Sequence, residues 1–267
     1  MDALNHYDEL LNYAREGSDI WRINHRSSDT VEIDPDTAAL LTLMREFCVE
    51  TGGVLEPAIR PVTELWDFKQ EKRIPMAEAL EKALGEVASL AWTIEDGSFV
   101  ASDSRVRLDV GAVAKGFIAD RVKDVMQAEG VSSCIINLGG NVLCIGCRPD
   151  GRPFSVGVMD PGDESSYAFA LELNDLSAVT AGAYERCFYV DGVRYHHIID
   201  PETGYSARTG LESVTVTGPV SAVCDALSTT LFIMGEERGR AFLEEYNRAH
   251  GAEYAAYFLK EEVLNSN

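Results

Sequence analysis

An α+β fold is what this sequence predicts: a single compact domain of mostly antiparallel or mixed β-sheet, with helices packed against it. Three observations predict it. Phe154 to Met159 and Tyr167 to Leu173 alternate apolar and polar residues, the period of half-buried strands. Asp96-Gly97 and Asp191-Gly192 lie between β-prone runs, where a two-residue hairpin turn needs left-handed backbone. Helical patterns stand in separate blocks and do not alternate with single strands, which disfavours a doubly wound parallel sheet. No linker, low-complexity stretch or repeat interrupts residues 1–267, so they read as one domain.

Taken in order, residues 2–16 form a helix with Leu4, Leu10, Leu11 and Ala14 apolar among acids. A polar link from Gly17 to Thr30 holds Trp21 and Asn24. Asp34-Pro35 supplies an N-cap acid and a first-turn proline, and Gly52-Gly53 stops that helix near Glu50. Val54 to Pro57 and Pro61 to Trp66 read as irregular. Pro75-Met76 opens a helix from Ala77 to about Ser89, followed by a hairpin of Ala91–Ile94 and Phe99–Ala101. A helix from about Phe117 to Glu129 follows a strand-to-helix junction and ends before Gly130, a natural C′ residue. Strands then cover Cys134 to Asn137, Val142 to Cys147, Phe154 to Met159 and Tyr167 to Leu173. A hairpin joins Cys187–Val190 to Val193–Ile199, and Ser213–Thr217 leads into a helix from Ser221 to Gly235. A helix from Glu236 to Arg248 and a strand from Tyr254 to Leu259 close the pattern.

Composition narrows the function. The 267 residues are 46% hydrophobic, ample for a core, and carry 44 acidic against 23 basic residues, a net charge of −21. That balance argues against a nucleic-acid surface, which needs a basic stripe, and against anionic membranes. A polyanionic ligand therefore needs a locally basic or metal-assisted site. No apolar run reaches the roughly 18 residues of a membrane span. The polar, acidic N-terminus is not a signal peptide, so a complete sequence implies the cytoplasm. Six cysteines in this length make no disulfide scaffold, and Cys48 and Cys224 read as small core residues. Cys144-Ile145-Gly146-Cys147 is a lone CxxC on a strand, without the second pair of a zinc site.

Two stretches carry chemistry. In Leu108-Asp109-Val110-Gly111-Ala112-Val113-Ala114-Lys115-Gly116, glycines accompany an acid and a base just before a helix. The free N–H groups of a helix start favour phosphate, and Lys115 adds a charge of the right sign. In the helix after Ser221, Asp225 and Thr229 are spaced i, i+4 and leave one face. Carboxylate and hydroxyl are hard oxygen donors that suit Mg²⁺ shared with a diphosphate. Each signal alone also fits an ordinary helix start or a solvated pair; together they suggest a metal-bound diphosphate ester. A third stretch, Tyr195-His196-His197-Ile198-Ile199-Asp200-Pro201-Glu202-Thr203-Gly204, puts a histidine pair where a strand meets a turn. Adjacent strand residues point to opposite faces, so one histidine can serve as a general base and the other cannot.

The four stretches LDVGAVAKG, INLGGN, YHHIIDPETGYSA and SVTVTGPVSAVCDALSTTLFIMG, in that order, closely resemble the ApbE family, the FAD:protein FMN transferases. The resemblance covers roughly residues 10–245. It implies an ApbE-like α+β domain that splits FAD with Mg²⁺ and attaches FMN, through its phosphate, to a Thr or Ser of a target flavoprotein, releasing AMP. It also implies site residues. Asp109 and Lys115 match flavin-nucleotide contacts, and Ala112 matches a backbone-carbonyl magnesium ligand. Asp225, Ser228 and Thr229 match the other metal positions. His197 matches the base and Ile199 a flavin contact. Tyr13 resembles an early flavin-contacting aromatic, and Val54, Leu55 and Glu56 a Gly-Gly-x-x-Asp-Pro segment.

The sequence also departs from the family pattern. Family members usually begin with a further strand carrying Met-Gly-Thr, and this sequence starts after that point. Glu56 and Asn141 stand where Asp is usual, and Thr180-Ala181-Gly182-Ala183 replaces a Ser-Gly-Asp type stretch. Two other readings use the same residues: a Mg²⁺-dependent FAD pyrophosphatase giving FMN and AMP, and an FAD-binding protein without turnover. The resemblance also bears on compartment, because family members are often exported and membrane-anchored, and a trimmed exported form would have this sequence.

Overall fold

The computed structural model describes residues 2–261; Met1 and residues 262–267 of the expected domain lie outside them. The fold is α+β. Helices α1 (Asp2–Leu11) and α2 (Asp19–Asn24) are followed by strand β1 (Thr30–Glu32). Then come α3 (Pro35–Glu50), α4 (Arg60–Thr63), α5 (Ala77–Glu86), β2 (Thr93–Glu95) and β3 (Ser98–Val100). Helix α6 (Ala114–Ala128) leads to β4 (Cys134–Leu138), β5 (Asn141–Ile145), β6 (Phe154–Asp160), β7 (Asp163–Leu173) and β8 (Ser177–Gly182). The chain continues through β9 (Cys187–Val190), β10 (Val193–His196), β11 (Leu211–Gly218), α7 (Ser221–Met234), α8 (Glu236–His250) and β12 (Ala255–Lys260). No helix among the described residues is long and apolar enough to cross a membrane.

Contacts sort the chain into two compact units, and neither is one continuous stretch. The first comprises residues 1–114 and 188–206, the second residues 115–187 and 207–267.

In the first unit, α3 forms where the sequence places it. Asp34 accepts from the Asp36 N–H at its start with Pro35 in the first turn, and Gly52 and Gly53 take positive φ at its end. Its buried stripe of Leu40, Leu41, Met44 and Phe47 makes core. The antiparallel sheet β1-β3-β2 is closed by Asp96 and Gly97, both at positive φ as a type I′ turn requires. A second cluster gathers Val62, Trp66, Leu80, Ala83, Phe188 and Ile199.

The second unit is built on an antiparallel sheet in the order β12-β11-β8-β5-β4, beside a separate β6-β7 ribbon. Helix α7 is buried along most of its length, because it is apolar on nearly every face and packs on the sheet and on α8. Cys48 in α3 and Cys224 in α7 are buried core residues, as expected, and all six cysteines are free thiols.

Several local expectations are corrected. Helix α1 stops at Leu11, where the Asp8 carbonyl and carboxylate take the Asn12 N–H and side-chain amide. The polar link contains α2, capped by the Ser18 hydroxyl accepting from the Trp21 N–H, and ends in β1. One helical turn, α4, replaces the irregular start of the Pro61 segment. Helix α5 ends at Glu86, short of Ser89. Leu108 to Val110 is not a strand. Its backbone is paired instead by a side chain: Asn24 accepts from the Leu108 N–H at 2.6 Å and donates to the Leu108 carbonyl at 2.9 Å. Strand β8, the middle of the five-stranded sheet, was not anticipated at all.

Candidate active site

In the second unit the first turns of α6 and α7 meet backbone to backbone. Gly116 makes this possible: a Cβ there would lie 2.3 Å from the Ser221 carbonyl oxygen. The Gly116 N–H donates to Asp225 Oδ2 at 2.8 Å. In return Asp120, one turn further along α6, accepts from the N–H groups of Ser221 (2.9 Å) and Ala222 (2.8 Å). Helix α7 needs this, because its own N-cap, Val220, has no side-chain acceptor. No motif marks Asp120, whose partners are about a hundred positions away.

A Gly116→Ala substitution should therefore be costly. One helix must move off the other, at about 1–3 kcal/mol or more, and thermal unfolding should show a lower midpoint. An unchanged midpoint would mean that the crossing is not tight.

Asp225 is 4% exposed, and burial pushes its pKa from 3.8 up to about 6. The Lys115 charge, the Gly116 N–H and the Asn141 amide pull the other way, while the Glu185 charge adds to the rise. Ser228 is buried and donates its hydroxyl to the Asp225 carbonyl at 2.9 Å, while Thr229 is half-buried on the same helical face as Asp225. A buried carboxylate with too little compensating charge, beside a hydroxyl at i+4, fits a small hard dication. Lys115 is half-buried at the start of α6, so the structure brings Lys115, Asp225, Ser228 and Thr229 to one pair of helix turns.

The first unit holds the remaining candidates. Asp109 Oδ2 accepts from Thr63 Oγ1 at 2.8 Å and lies 3.9 Å from Arg60 Nη1, and Asp109 Oδ1 accepts from the Gly111 N–H at 3.0 Å. The same Arg60 guanidinium sits over the Tyr13 ring, 4.0 Å from its centroid. Tyr13 and Asp109, far apart in sequence, thus share a cluster with Arg60 and Thr63. The latter two were missed because α4 read as irregular. The Asp109 N–H donates to the Pro57 carbonyl, which ties in the segment of Val54, Leu55 and Glu56. Val54 is half-buried and Leu55 buried. The Glu56 carboxylate is taken up internally, by the Ala58 N–H at 2.8 Å, by the Ser89 hydroxyl and by the Cys48 thiol at 3.6 Å. Ala112 lies half-buried in the turn before α6.

The two histidines differ in burial. His196 ends β10 and is 4% exposed, and the Ser206 hydroxyl accepts from its N–H and donates to its carbonyl. His197, just past the strand end, is half-buried. Ile199 is buried against Val62 of α4 and the Trp66 cluster, so it is anchored from below by the helix that carries Arg60 and Thr63. Gly204, at φ 73°, closes the following turn and accepts the Trp66 indole N–H at 3.0 Å. In another group with metal-ligand reach, His6, Asp34 and Asp36, Asp34 caps α3 and Asp36 accepts from the Tyr7 hydroxyl.

The ApbE family model matches residues 1–254. The chain belongs to the ApbE family. This ApbE-family chain is 34% identical over 261 residues to the FAD:protein FMN transferase of Treponema pallidum, covering 91% of the chain and 72% of that protein. It is 33% identical over 245 residues to the FAD:protein FMN transferase of Vibrio cholerae, covering 89% of the chain and 72% of the relative. Among solved structures, the ApbE protein of Thermotoga maritima superposes with a TM-score of 0.86 at 31% identity, over 96% of this chain and 84% of that one. The flavin transferase ApbE of Vibrio cholerae superposes at 0.84 with 26% identity, over 97% and 86%.

Proposed function

We propose that this chain is a Mg²⁺-dependent FAD:protein FMN transferase, which splits FAD, joins FMN through a phosphoester to a Thr or Ser hydroxyl of a target flavoprotein, and releases AMP. Family membership supports the flavin transfer. The observation that carries the rest is the crossing of α6 and α7, which puts a buried carboxylate and a lysine at one point. A diphosphate ester shared with a hard cation needs those groups.

In this reading Asp225, Ser228, Thr229 and the Ala112 carbonyl hold Mg²⁺. Bound there, the ion neutralises charge on the phosphoryl group under attack and on the departing AMP. Lys115 binds a diphosphate oxygen. Asp109, Tyr13, Ile199 and the segment of Val54, Leu55 and Glu56 bind and orient the flavin nucleotide. His197 takes the proton of the acceptor hydroxyl as its oxygen attacks phosphorus in line with the leaving group. The P–O bond to AMP breaks as the bond to the acceptor oxygen forms. Residues 1–267 act as a single functional domain. The whole contribution of the chain is position and charge.

Lys115 offers the test of the phosphate assignment. Lys115→Gln should weaken FAD binding, followed by quenching of flavin fluorescence, while the unfolding midpoint stays close to the parent's, since a half-buried lysine at a helix start carries little packing. Equal FAD affinity in variant and parent would remove Lys115 from the site.

A further inference from the structure

Asn141 begins β5 and is fully buried, at 0% exposure. Its Oδ1 accepts from the Ser221 hydroxyl at 2.8 Å. Its Nδ2 is buried and, among the described residues, meets no acceptor in ordinary hydrogen-bond geometry. A buried amide with one half satisfied costs about 1–3 kcal/mol, so the other half calls for a reason.

The reason lies one helical turn away. Ser221 and Asp225 are four residues apart in α7, and side chains at that spacing stand on one face. An amide docked on Ser221 therefore runs alongside Asp225. Because Ser221 donates to Oδ1, the N–H₂ end is the end turned toward the carboxylate. The reverse orientation would set two acceptors against each other. The Asn141 amide favours the charged form of Asp225, as a nearby donor does. Gly116 reaches the same carboxylate by its N–H, so Asp225 is approached by two donors that come from outside α7.

We propose that Asn141 is a positioning residue for the metal site: held by Ser221, its Nδ2 fixes the orientation in which the Asp225 carboxylate is presented to Mg²⁺. This rests on the assignment of Asp225 as a metal ligand. Partners that orient a ligating carboxylate are typically worth 10- to 100-fold in metal affinity. Asn141 touches neither the flavin nor the acceptor in this scheme, so its removal should act on the metal alone.

The full-length chain, titrated with Mn²⁺ and followed by electron paramagnetic resonance, tests the proposal without turnover. Asn141→Ala should weaken Mn²⁺ binding roughly 10- to 100-fold. Ser221→Ala, which frees the amide to rotate, should weaken it in the same direction by less. FAD binding without metal should stay at the parent's level in both. Parental Mn²⁺ affinity in Asn141→Ala overturns the proposal. So does a parallel loss of Mn²⁺ binding, FAD binding and thermal stability, which marks a structural asparagine. Should Asn141→Ala fail to fold, parental affinity in Ser221→Ala overturns it instead. Asp225→Ala is the control that separates the two claims. If it too binds Mn²⁺ like the parent, the metal assignment fails; if it alone loses the ion, only the role of Asn141 does.

Discussion

His197→Ala should lower FMN transfer about 10²- to 10⁴-fold, the usual worth of a general base, with FAD and Mg²⁺ affinities close to the parent's. Burial separates the two histidines, with His196 locked to Ser206 through its backbone and His197 half-buried beyond the strand end. The same change at His196 should therefore cost transfer far less, and its main effect should be on stability, because it empties a buried position. Transfer by the parent should fall as pH drops through the range in which an imidazole takes up a proton. Single-turnover transfer by the two variants, with FAD affinity measured separately, decides the matter. The opposite ranking would make His196 the base, and equal tolerance would leave a flavin binder without a proton acceptor here.

Asp225→Ala should abolish Mg²⁺-dependent turnover of FAD, since hydroxyls and a carbonyl cannot hold a hard dication against water without a carboxylate. Turnover that persists with unchanged Mg²⁺ dependence would refute the assignment. Stability gives an independent readout. Burial raises the Asp225 pKa from 3.8 to about 6, so the folded state holds its proton more tightly than the unfolded state does. Such a group costs nothing below pH 3.8, costs progressively more as pH rises toward 6, and bears its full cost above that. The full cost is on the order of 3 kcal/mol. Asp225→Asn should thus leave the metal-free chain at least as stable as the parent at pH 8. Added Mg²⁺ should raise the parent's unfolding midpoint and leave the variant's unmoved. A metal-free Asn variant clearly less stable than the parent at pH 8 would mean that the carboxylate is already compensated by the protein.

Local signals in the sequence were reliable where cause and effect are close together. Asp34-Pro35 and Gly52-Gly53 bracket α3, and Asp96-Gly97 turns β2 into β3, because caps and turns are decided within a few residues. Strand β8 escaped because Ser177 to Gly182 is mostly small and buried on both faces, so the alternation that betrays a half-exposed strand is absent. The stretch before α6 reads as a strand-to-helix junction, but no strand forms at Leu108 to Val110, where the Leu108 backbone is paired by the Asn24 side chain, 84 positions away.

The candidate site divides in the same manner. Asp225 and Thr229 were legible from helical spacing, and Asp109, Lys115 and His197 from their motifs. Their supports were not. Asp120 holds α7 from 101 positions away, Ser221 docks Asn141 from 80, and Thr63 reaches Asp109 from 46. Long-range hydrogen bonds leave no periodicity in either partner. Arg60 and Thr63 depended besides on a single helical turn, too short to show a period of its own.

The most direct measurement is the intact mass of a flavoprotein fragment carrying an acceptor Thr or Ser, after incubation with this chain, FAD and Mg²⁺. The expected result is a mass gain of one FMN less one water, lost when the acceptor hydroxyl is changed to alanine, together with one AMP released for each FMN attached. FAD converted to FMN and AMP with the fragment's mass unchanged would mean that water is the acceptor, and FAD left intact would contradict the account altogether.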